Sequence, residues 1–564
     1  MKSKKQLFVT VLFSLIILFA ISLHIPALDN LAIKYIEQFF HKTLRNPGRW
    51  IDIIQNTASL VVFTLAVLYF VTYIEYGIKL KSAIKFEFED VKVNLINKNI
   101  FNLFLFAVLL LFVSYFNVIK ANFFYADDVF RNYGGNRSWI GFSRYISEFC
   151  SIFIHNSLKL NDIAPLSQFI AILISASTII ILALALTGNI KISSILALSA
   201  IFIAPCYAEN ISYRFDSPYM AFSLFFAALP FLFIKDKRVF SFISIISLLL
   251  TCISYQAALS LYILCAIYIF VRKLYTSDDL KNNISFAVSA IISFIAALVI
   301  FKLFFMNKMT NEPDEYFSSQ VQISAFFKNS MIYIRNTFFA NGGLLSKALF
   351  ASSLIYLVFT FVRNSKLNKF FSFIFITFVL IVSYVLSFGP YLIFSKPVFA
   401  VRAFMGFNVF IALILLAIID INSQKKIKLP YLITGLSAYS FMVFMFTYGN
   451  CLNNQKEYQN FRLTMILNDL SEIIEDKDEV TVSFAGNMDL CQKNRIALKN
   501  YPVIKSLISR LPVESSSWND ELLNGYNLRC KCEHKKLTDD YKLMKDSYYH
   551  SIYKMDKDFI VVLK

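Results

Sequence analysis

Apolar residues run through this chain in long blocks that short polar connections separate. A bilayer hydrocarbon core of about 30 Å needs roughly 17–25 mostly apolar residues per helix. Blocks of about this length recur until residue 448. The pattern predicts about thirteen membrane-spanning helices: 6–26, 57–76, 101–119, 166–187, 193–208, 219–234, 239–254, 257–272, 284–306, 346–363, 370–393, 405–421 and 430–448.

Basic residues cluster in alternate connections between these blocks. The positive-inside rule assigns such connections to the cytoplasm, together with the N-terminus, whose lysines precede an apolar run without a small-x-small cleavage site. The segments 120–165, 209–218 and 394–404 and the tail then lie on the periplasmic side of a bacterial inner membrane. The basic clusters are Lys79, Lys81, Lys85, Lys92 and Lys98; Lys235, Lys237 and Arg238; Arg272, Lys273 and Lys281; Arg363, Lys366 and Lys369; and Lys425, Lys426 and Lys428.

The polar tail is long enough for a small domain. Its pattern predicts a helix near Asn460–Ile474, a strand at Glu479–Phe484 and a final strand at Phe559–Leu563. We therefore expect an all-α polytopic membrane domain over residues 1–448 and a small α/β periplasmic domain over residues 449–564.

Composition agrees with a membrane protein. Of 564 residues, 57% are hydrophobic and only 16% are charged, too few to cover the surface of a soluble protein of this size. The net charge is +18. Because the basic residues lie in short clusters between apolar blocks, contact with anionic lipid explains this charge better than nucleic-acid binding.

Four cysteines lie in the tail: Cys451, Cys491, Cys530 and Cys532. In an oxidising compartment they predict one or two disulfides. Cys530 and Cys532 with His534 could instead bind zinc, but their spacing matches no standard zinc finger.

Two adjacent carboxylates, Asp127 and Asp128, follow the third apolar block on the predicted outer face. Paired acids at a bilayer surface are candidates for function. One carboxylate could act as general base on an acceptor hydroxyl while the other orients that hydroxyl. The alternative is a solvated loop with an aspartate that caps a helix.

An apolar stripe follows this acidic pair. Trp139, Phe142, Ile146, Phe149 and Phe153 recur at spacings of three and four residues. The spacing predicts an amphipathic helix on the outer membrane surface with an aromatic anchor, an arrangement suited to a lipid-linked substrate.

The segment Tyr125-Ala-Asp127-Asp128-x-x-Arg131, followed by Trp139 and Arg144, resembles the first-loop signature of the integral-membrane glucosyltransferases that modify bacterial O-antigen, within the GT-C class. Further matches are Tyr213-Arg214-Phe215-Asp216, Ser254-Tyr255-Gln256 and Arg402 in a late outer segment. The resemblance covers roughly residues 100–450.

The resemblance implies a GT-C fold and a periplasmic donor in which a hexose is linked to polyprenyl phosphate. It implies transfer to a lipid-linked O-antigen or related glycan, with Asp127 or Asp128 as catalytic base. Single displacement would invert the anomeric centre and requires no cofactor or metal. Expected pathway partners are a donor-lipid flippase and a polyprenyl-phosphate glucosyltransferase. The expected substrate-binding residues are Arg131, Trp139, Arg144, Arg214, Asp216, Tyr255, Gln256 and Arg402.

Physical chemistry supports the arginines in that set. Arginine offers fork-shaped bonding to phosphate oxygens, and the charge bias of membrane proteins disfavours idle arginine on the outer face. Two alternatives remain: a polysaccharide polymerase, which also carries outer arginines, and a lipid-linked glycan transporter. The scarcity of charges within the apolar blocks and the lack of a repeat disfavour the transporter.

Overall fold

The structure is a computed structural model that describes residues 38, 75–95, 98–276, 279–306, 321–340, 343–365, 368–422, 427–474, 479–514, 518–533 and 535–564. The predicted span 6–26 and nearly all of 57–76 lie outside the described residues, as does His534.

Helices dominate the described chain. The helices up to residue 473 are α1 Glu75–Leu95, α2 Lys98–Ala121, α3 Asp128–Gly134, α4 Tyr145–Ile154, α5 Leu166–Thr187, α6 Ile192–Ile203, α7 Ala208–Ser212, α8 Ser217–Ala228, α9 Lys237–Cys252, α10 Leu259–Thr276, α11 Leu280–Phe304, α12 Phe326–Ala340, α13 Leu344–Asn364, α14 Lys369–Leu386, α15 Met405–Ile421 and α16 Leu429–Ile473. Short 3-10 turns lie at Ile140–Phe142, Pro205–Tyr207, Leu229–Phe233, Gln256–Ala258, Ile323–Ala325, Gly389–Ile393, Val401–Phe404 and Gln492–Asn494.

The eleven predicted spans that begin at or after residue 101 all coincide with helical segments. Within the described ranges, eight helices are long and apolar enough to cross a bilayer. A ninth crossing is possible if α6 and Pro205–Ser212, which meet at a 52° bend, form one broken span. Two segments are shorter, Ser217–Phe233 and the 16-residue α9. The total of thirteen spans stays a prediction.

Helix α1 was not predicted. Its sequence alternates charged and apolar residues, so it contains no long apolar block. Leu80 and Val91 nevertheless pack against Phe233 and Val239 at the beginning of α9. A scan for long apolar runs cannot detect a helix of this kind, because only one side of it is buried.

Helix α16 joins the membrane bundle to the tail. It contains 45 residues and is therefore about 68 Å long, roughly twice the hydrocarbon thickness. The sequence predicted a span at 430–448 and a separate helix near 460–474. The structure merges them into one helix. The polar residues between the two segments take the helix from an apolar into a polar environment, but they do not interrupt it.

The tail folds around a five-stranded mixed sheet. Its strands and the tail helices are β1 Val480–Ala485, α17 Arg495–Asn500, α18 Ile504–Leu507, α19 Trp518–Asn524, β2 Cys530–Cys532, β3 Lys542–Asp546, β4 His550–Met555 and β5 Asp558–Leu563. The strand order is β2-β1-β5-β4-β3. Strand β1 pairs in parallel with β2 and β5, and β4 pairs antiparallel with β3 and β5. Ile466 and Leu470 of α16 pack on the buried side of this sheet. Both predicted strands are confirmed.

The predicted disulfides are absent from the structure. All eight cysteines lie in described segments and all are free thiols. Cys530 and Cys532 are two residues apart on extended β2, which separates their Cα atoms by roughly 6.6 Å, near the upper limit for a disulfide. No cluster of three metal-ligating side chains occurs among the described residues.

Connections predicted to be cytoplasmic contact one another. Lys235 Nζ lies 2.6 Å from Asp90 Oδ2, and Lys237 Nζ lies 2.9 Å from Asn282 Oδ1. Segments predicted to be periplasmic also contact one another, around the acidic loop that follows α2. The predicted cytoplasmic connections thus lie together in the fold, and so do the predicted periplasmic segments. Which end of the bundle faces the cytoplasm stays a prediction.

The crossing of α16 over α2 depends on Gly449. A Cβ atom there would lie 2.4 Å from the carbonyl carbon of Asn117, whereas a Cβ at Gly435 on the same helix would meet nothing within 4 Å. We expect Gly449→Ala to lower stability by roughly 1–3 kcal/mol through overpacking. Gly435→Ala should be neutral or slightly stabilising, because alanine favours helix. Thermal melting in detergent checks this. If Gly449→Ala melts at the same temperature as Gly435→Ala, the close approach of α16 and α2 at Gly449 would be contradicted.

Candidate active site

The loop after α2 turns sharply before α3 begins. Asn122 and Ala126 both have positive φ angles, 48° and 44°. Helix α3 then ends at Gly135, whose φ of 63° is left-handed and whose N–H donates to the carbonyl of Arg131 at 2.9 Å. The result is a short helix whose first residue, Asp128, is directed into the protein.

Asp128 is fully buried and serves as an acceptor for backbone amides. Its Oδ2 accepts from the N–H of Tyr125 at 2.9 Å, and both oxygens lie 3.1 Å from the N–H of Arg214. Oδ1 also lies 3.4 Å from the N–H of Phe215. Burial raises the pKa of Asp128, and these amide hydrogen bonds oppose the rise. With both oxygens engaged, this carboxylate fixes the loop to the 213–216 segment.

Asp127 has a different environment. Its side chain is half-buried and makes no hydrogen bond or ion pair with any residue that the structure describes. Burial raises the pKa of Asp127, and the negative charge of Asp216 adds to the rise. The positive charges of Arg131, Arg402 and Arg144 act in the other direction. Asp127 is therefore an available carboxylate within electrostatic reach of three guanidinium groups.

Arg131, Asp216 and Trp139 form a buried cluster below the loop. Arg131 Nε lies 2.9 Å from Asp216 Oδ2, and Arg131 Nη2 donates to Oδ1 at 3.2 Å. The indole Nε1–H of Trp139 donates to the same carboxylate, and Arg131 lies 4.0 Å above the Trp139 ring. Trp139 is only 1% exposed. Trp139 therefore does not anchor a surface helix: its ring packs with Leu160, Phe215 and Tyr219 inside the protein.

The amphipathic helix itself is present as α4, after Trp139. Phe149 and Phe153 are exposed, and their rings lie 5.0 Å apart. The opposite side of α4 docks on the turn between α9 and α10, where the N–H of Ile146 donates to the carbonyl of Ile253 at 3.0 Å.

Arg214 is occupied on both sides. Its backbone N–H donates to Asp128, while its guanidinium donates to Asn122 Oδ1 at 2.6 Å and to Asp162 Oδ2 at 2.5 Å. The guanidinium also lies 4.3 Å above the ring of Phe124. Its charge is thus neutralised within the loop.

Arg402 reaches the site from the beginning of the last-but-one span. Its backbone N–H and its Nη1 both donate to the carboxylate of Glu209, at 2.7 Å and 2.5 Å. Nη1 also donates to the hydroxyl of Tyr213 at 2.9 Å, and the Tyr213 ring packs 4.8 Å from that of Tyr125. This pair links the 209–218 and 394–404 segments.

Arg144 is the named arginine without a carboxylate partner among the described residues. It lies 4.6 Å above the ring of Tyr255, and its Nε is buried without a hydrogen bond. Gln256 donates to the carbonyl of Phe142 at 3.3 Å, which holds the loop near this arginine. An anion could therefore meet Arg144 without displacing an internal partner.

A cleft of about 790 Å³ opens beside the Glu209–Arg402 pair. Arg335 of α12 lines it from one side, and Pro502 and Ser506 of the tail line it from another. The tail also contacts the acidic loop directly, since the N–H of Ala126 donates to the hydroxyl of Ser509 at 3.2 Å.

The structure brings the predicted residues to one end of the bundle but separates their environments. Asp127 and Arg144 have no ion-pair partner among the described residues, whereas Arg402 is paired with Glu209 at the edge of the cleft. Asp128, Arg131, Trp139, Arg214 and Asp216 are committed to internal partners. Tyr255 and Gln256 lie between the two groups, at the turn that receives the loop.

Sequence reasoning missed Glu209, Asp162 and Arg335. Glu209 carries a signal, because it is the only charged residue between Lys191 and Arg214. An isolated acid in an apolar segment is expected to have a partner. Asp162 and Arg335 carry no comparable signal, since each lies in a polar stretch.

The chain matches the family model described as "Glucosyl transferase GtrII" over residues 116–413, just over half of its length. The protein belongs to this glucosyl transferase family. It is therefore a glycosyltransferase. The matched region contains every site residue from Asp127 to Arg402 and ends before the tail.

A similar protein is the "uncharacterized 55.3 kDa protein in gtrB 5′ region" of Salmonella phage P22. The two are 23% identical over 455 residues, which cover 77% of this chain and 93% of the phage protein. No solved structure matches the chain.

The different roles of Asp127 and Asp128 can be tested by measuring the thermal stability of variants at each position. Asp128→Asn replaces one acceptor oxygen by an N–H donor that faces backbone amides, so we expect a loss of about 1–3 kcal/mol. Asp127→Asn should melt like wild type, as should Asp539→Asn at an exposed site on the tail. Thermal melting of the three variants checks this. Equal melting of Asp128→Asn and Asp127→Asn would refute the assigned role of Asp128.

Proposed function

We propose that this glycosyltransferase moves a glucosyl residue from a polyprenyl-phosphate-linked donor to a lipid-linked O-antigen or related surface glycan. The reaction takes place on the periplasmic face of the inner membrane and inverts the anomeric centre. The observation that supports the proposal is the Asp127 carboxylate, which has no partner among the described residues and is within electrostatic reach of Arg402 and Arg144 at one end of a bundle of apolar helices.

The architecture suits a lipid-linked donor. The exposed rings of Phe149 and Phe153 on α4 give this end of the bundle a surface for the bilayer interface. The Glu209–Arg402 cleft lies at the same end. A donor held in the bilayer by its prenyl chain could present its phosphate and sugar there without leaving the membrane.

Asp127 fits the role of general base. A carboxylate whose pKa is raised holds a proton more strongly than an ordinary aspartate, which favours proton transfer from an alcohol. The acceptor hydroxyl gives its proton to Asp127, and its oxygen forms a bond to the anomeric carbon. The bond from that carbon to the lipid phosphate oxygen breaks, and its electron pair leaves with the phosphate.

Arg144 and Arg402 fit the leaving phosphate. Arg144 has no carboxylate partner among the described residues, and Arg402 uses Nη1 for Glu209 and Tyr213, which leaves Nη2 for a ligand. Guanidinium groups that face developing phosphate charge stabilise it in the transition state. Because arginines can neutralise a single phosphate, this scheme requires no metal.

The other named residues fit positioning roles. Asp128 holds the acidic loop, and Arg131, Asp216 and Trp139 support it from below. Arg214 connects the loop to Asp162. Tyr255 orients Arg144, and Gln256 holds the loop that contains Arg144. Contacts of Tyr255 and Gln256 with sugar hydroxyls would be a second role of these side chains.

A periplasmic donor also implies partners in the pathway. One enzyme must attach glucose to polyprenyl phosphate, and a flippase must carry the product across the membrane, because a sugar phosphate does not cross the hydrocarbon core unaided. Both are therefore expected partners of this protein.

Asp127→Asn should lower sugar transfer by roughly 10²–10⁴-fold, the usual contribution of a general base. The KM for donor should change little, since the proposal assigns donor binding to the arginines. The assay follows transfer of labelled glucose from polyprenyl-phosphate-glucose in membranes, with Asp539→Asn as control. Wild-type rates in Asp127→Asn would defeat the proposed role.

The pH dependence follows from the raised pKa of Asp127. Only the deprotonated carboxylate accepts a proton, so kcat/KM should fall as pH decreases through this pKa. The midpoint should lie above about 3.9, the ordinary value for aspartate. Melting measured at each pH separates this limb from acid unfolding. A rate that stays constant to about pH 4 in folded protein would exclude Asp127 as the base.

A further inference from the structure

Helix α12 lies beside the active-site cleft and has two different sides. One side is anchored: Asn329 donates to the carbonyl of Phe394 at 2.8 Å, the Tyr333 hydroxyl lies 2.6 Å from Ser387 Oγ, and Thr337 hydrogen-bonds Tyr384. These α12 residues recur every four positions and hold the helix against α14 and the turn that follows it.

The other side of α12 is a stripe of exposed apolar residues that ends in a cation. Phe327 and Met331 are 79% and 69% exposed, and Arg335 continues their four-residue spacing. Ile323, which is 79% exposed, lies in the 3-10 turn just before α12 and extends the stripe. The part of the stripe on α12, from Phe327 to Arg335, is about 12 Å long. This arrangement suits an amphiphilic ligand, because apolar side chains can contact its hydrocarbon chain and the arginine can contact an anionic head group.

Arg335 stands where this stripe meets the cleft. It lines the cleft together with Arg402 and Glu209, so that the charged lining residues carry two positive charges and one negative charge. Arg335 has no ion-pair or hydrogen-bond partner within the described segments. Arg402, in contrast, is already paired with Glu209. The net positive charge of the cleft therefore depends on Arg335.

We infer that α12 docks the lipid portion of the donor: Arg335 binds the donor phosphate next to Arg402, and Ile323, Phe327 and Met331 hold the first part of the prenyl chain. This inference rests on the proposed polyprenyl-phosphate donor. An apolar stripe alone would fit any lipid-facing helix. The unpaired arginine at its end, in the cleft that contains Arg402, selects a lipid with an anionic head.

The part of the stripe on α12, about 12 Å, is shorter than one hydrocarbon leaflet of about 15 Å, so it accommodates only the portion of the prenyl chain nearest the phosphate. A short prenyl chain should therefore use Arg335 fully and the apolar track only in part. The two components of the site can be separated by donors of different chain length.

The test compares two donors, undecaprenyl-phosphate-glucose and a water-soluble short-chain prenyl-phosphate-glucose, with full-length protein in detergent. Arg335→Gln should raise KM at least ~10-fold for both donors, because it removes a charge-assisted hydrogen bond to the donor phosphate. Arg335→Lys should recover part of the loss. Arg529→Gln, at an exposed arginine on the tail, is the matched control.

The double variant Phe327→Ser/Met331→Ser should raise KM for the long-chain donor and leave KM for the short-chain donor nearly unchanged. Its control is Ile355→Ser/Phe359→Ser, which changes two similarly exposed residues on α13. Melting temperatures confirm that each variant is folded.

The outcomes distinguish the inference from the proposed function. If wild type uses the prenyl-phosphate donors but Arg335→Gln has the KM of Arg529→Gln, the inference is overturned and the proposed function stands. If the apolar double variant affects both donors equally, the assigned prenyl track is overturned. If wild type uses neither donor but transfers glucose from a nucleotide sugar, the donor class fails and the inference fails with it.

Discussion

The site depends on one buried carboxylate that accepts backbone amides. Asp128 receives N–H groups from Tyr125 on its own loop and from Arg214 and Phe215 on a distant segment. A buried acceptor with several charge-assisted partners strongly restricts the backbone that surrounds it. Asp128 thereby uses its oxygens for backbone amides, whereas the adjacent Asp127 keeps a carboxylate without a hydrogen-bond partner among the described residues.

A second constraint concerns the arginines. Burying a guanidinium without a counter-ion is costly, so most arginines in this end of the bundle are paired. Asp216, Asp162 and Glu209 each neutralise one of them. These pairs join the acidic loop, the 209–218 segment and the 394–404 segment into one framework. Arg144 and Arg335 lack such partners among the described residues, and they are therefore the positions proposed to bind an anionic substrate.

The sequence predicted the features that depend on local composition. The apolar blocks marked the helices from residue 101 onward, and the alternation of basic clusters separated the two ends of the bundle. The acidic pair and the arginines were found because charged residues are rare in this chain. The division of labour between Asp127 and Asp128 was not predictable, since it is decided by amides more than 80 residues away. Trp139 was misplaced for the same reason: it packs with Phe215 and Tyr219 and bonds Asp216, which are all more than 70 residues away.

The central claim is that Asp127 faces the reacting sugar at the end of the bundle where the charges of Arg144 and Arg402 act on it. The most direct measurement is a cryo-EM structure of wild-type protein with a non-transferable polyprenyl-phosphonate analogue of the donor and an acceptor glycan. The account predicts an acceptor hydroxyl within about 2.6–3.2 Å of the Asp127 carboxylate. It also predicts the phosphonate within hydrogen-bond reach of Arg144 or Arg402. A sugar bound elsewhere, with Asp127 contacting neither acceptor nor donor, would contradict it.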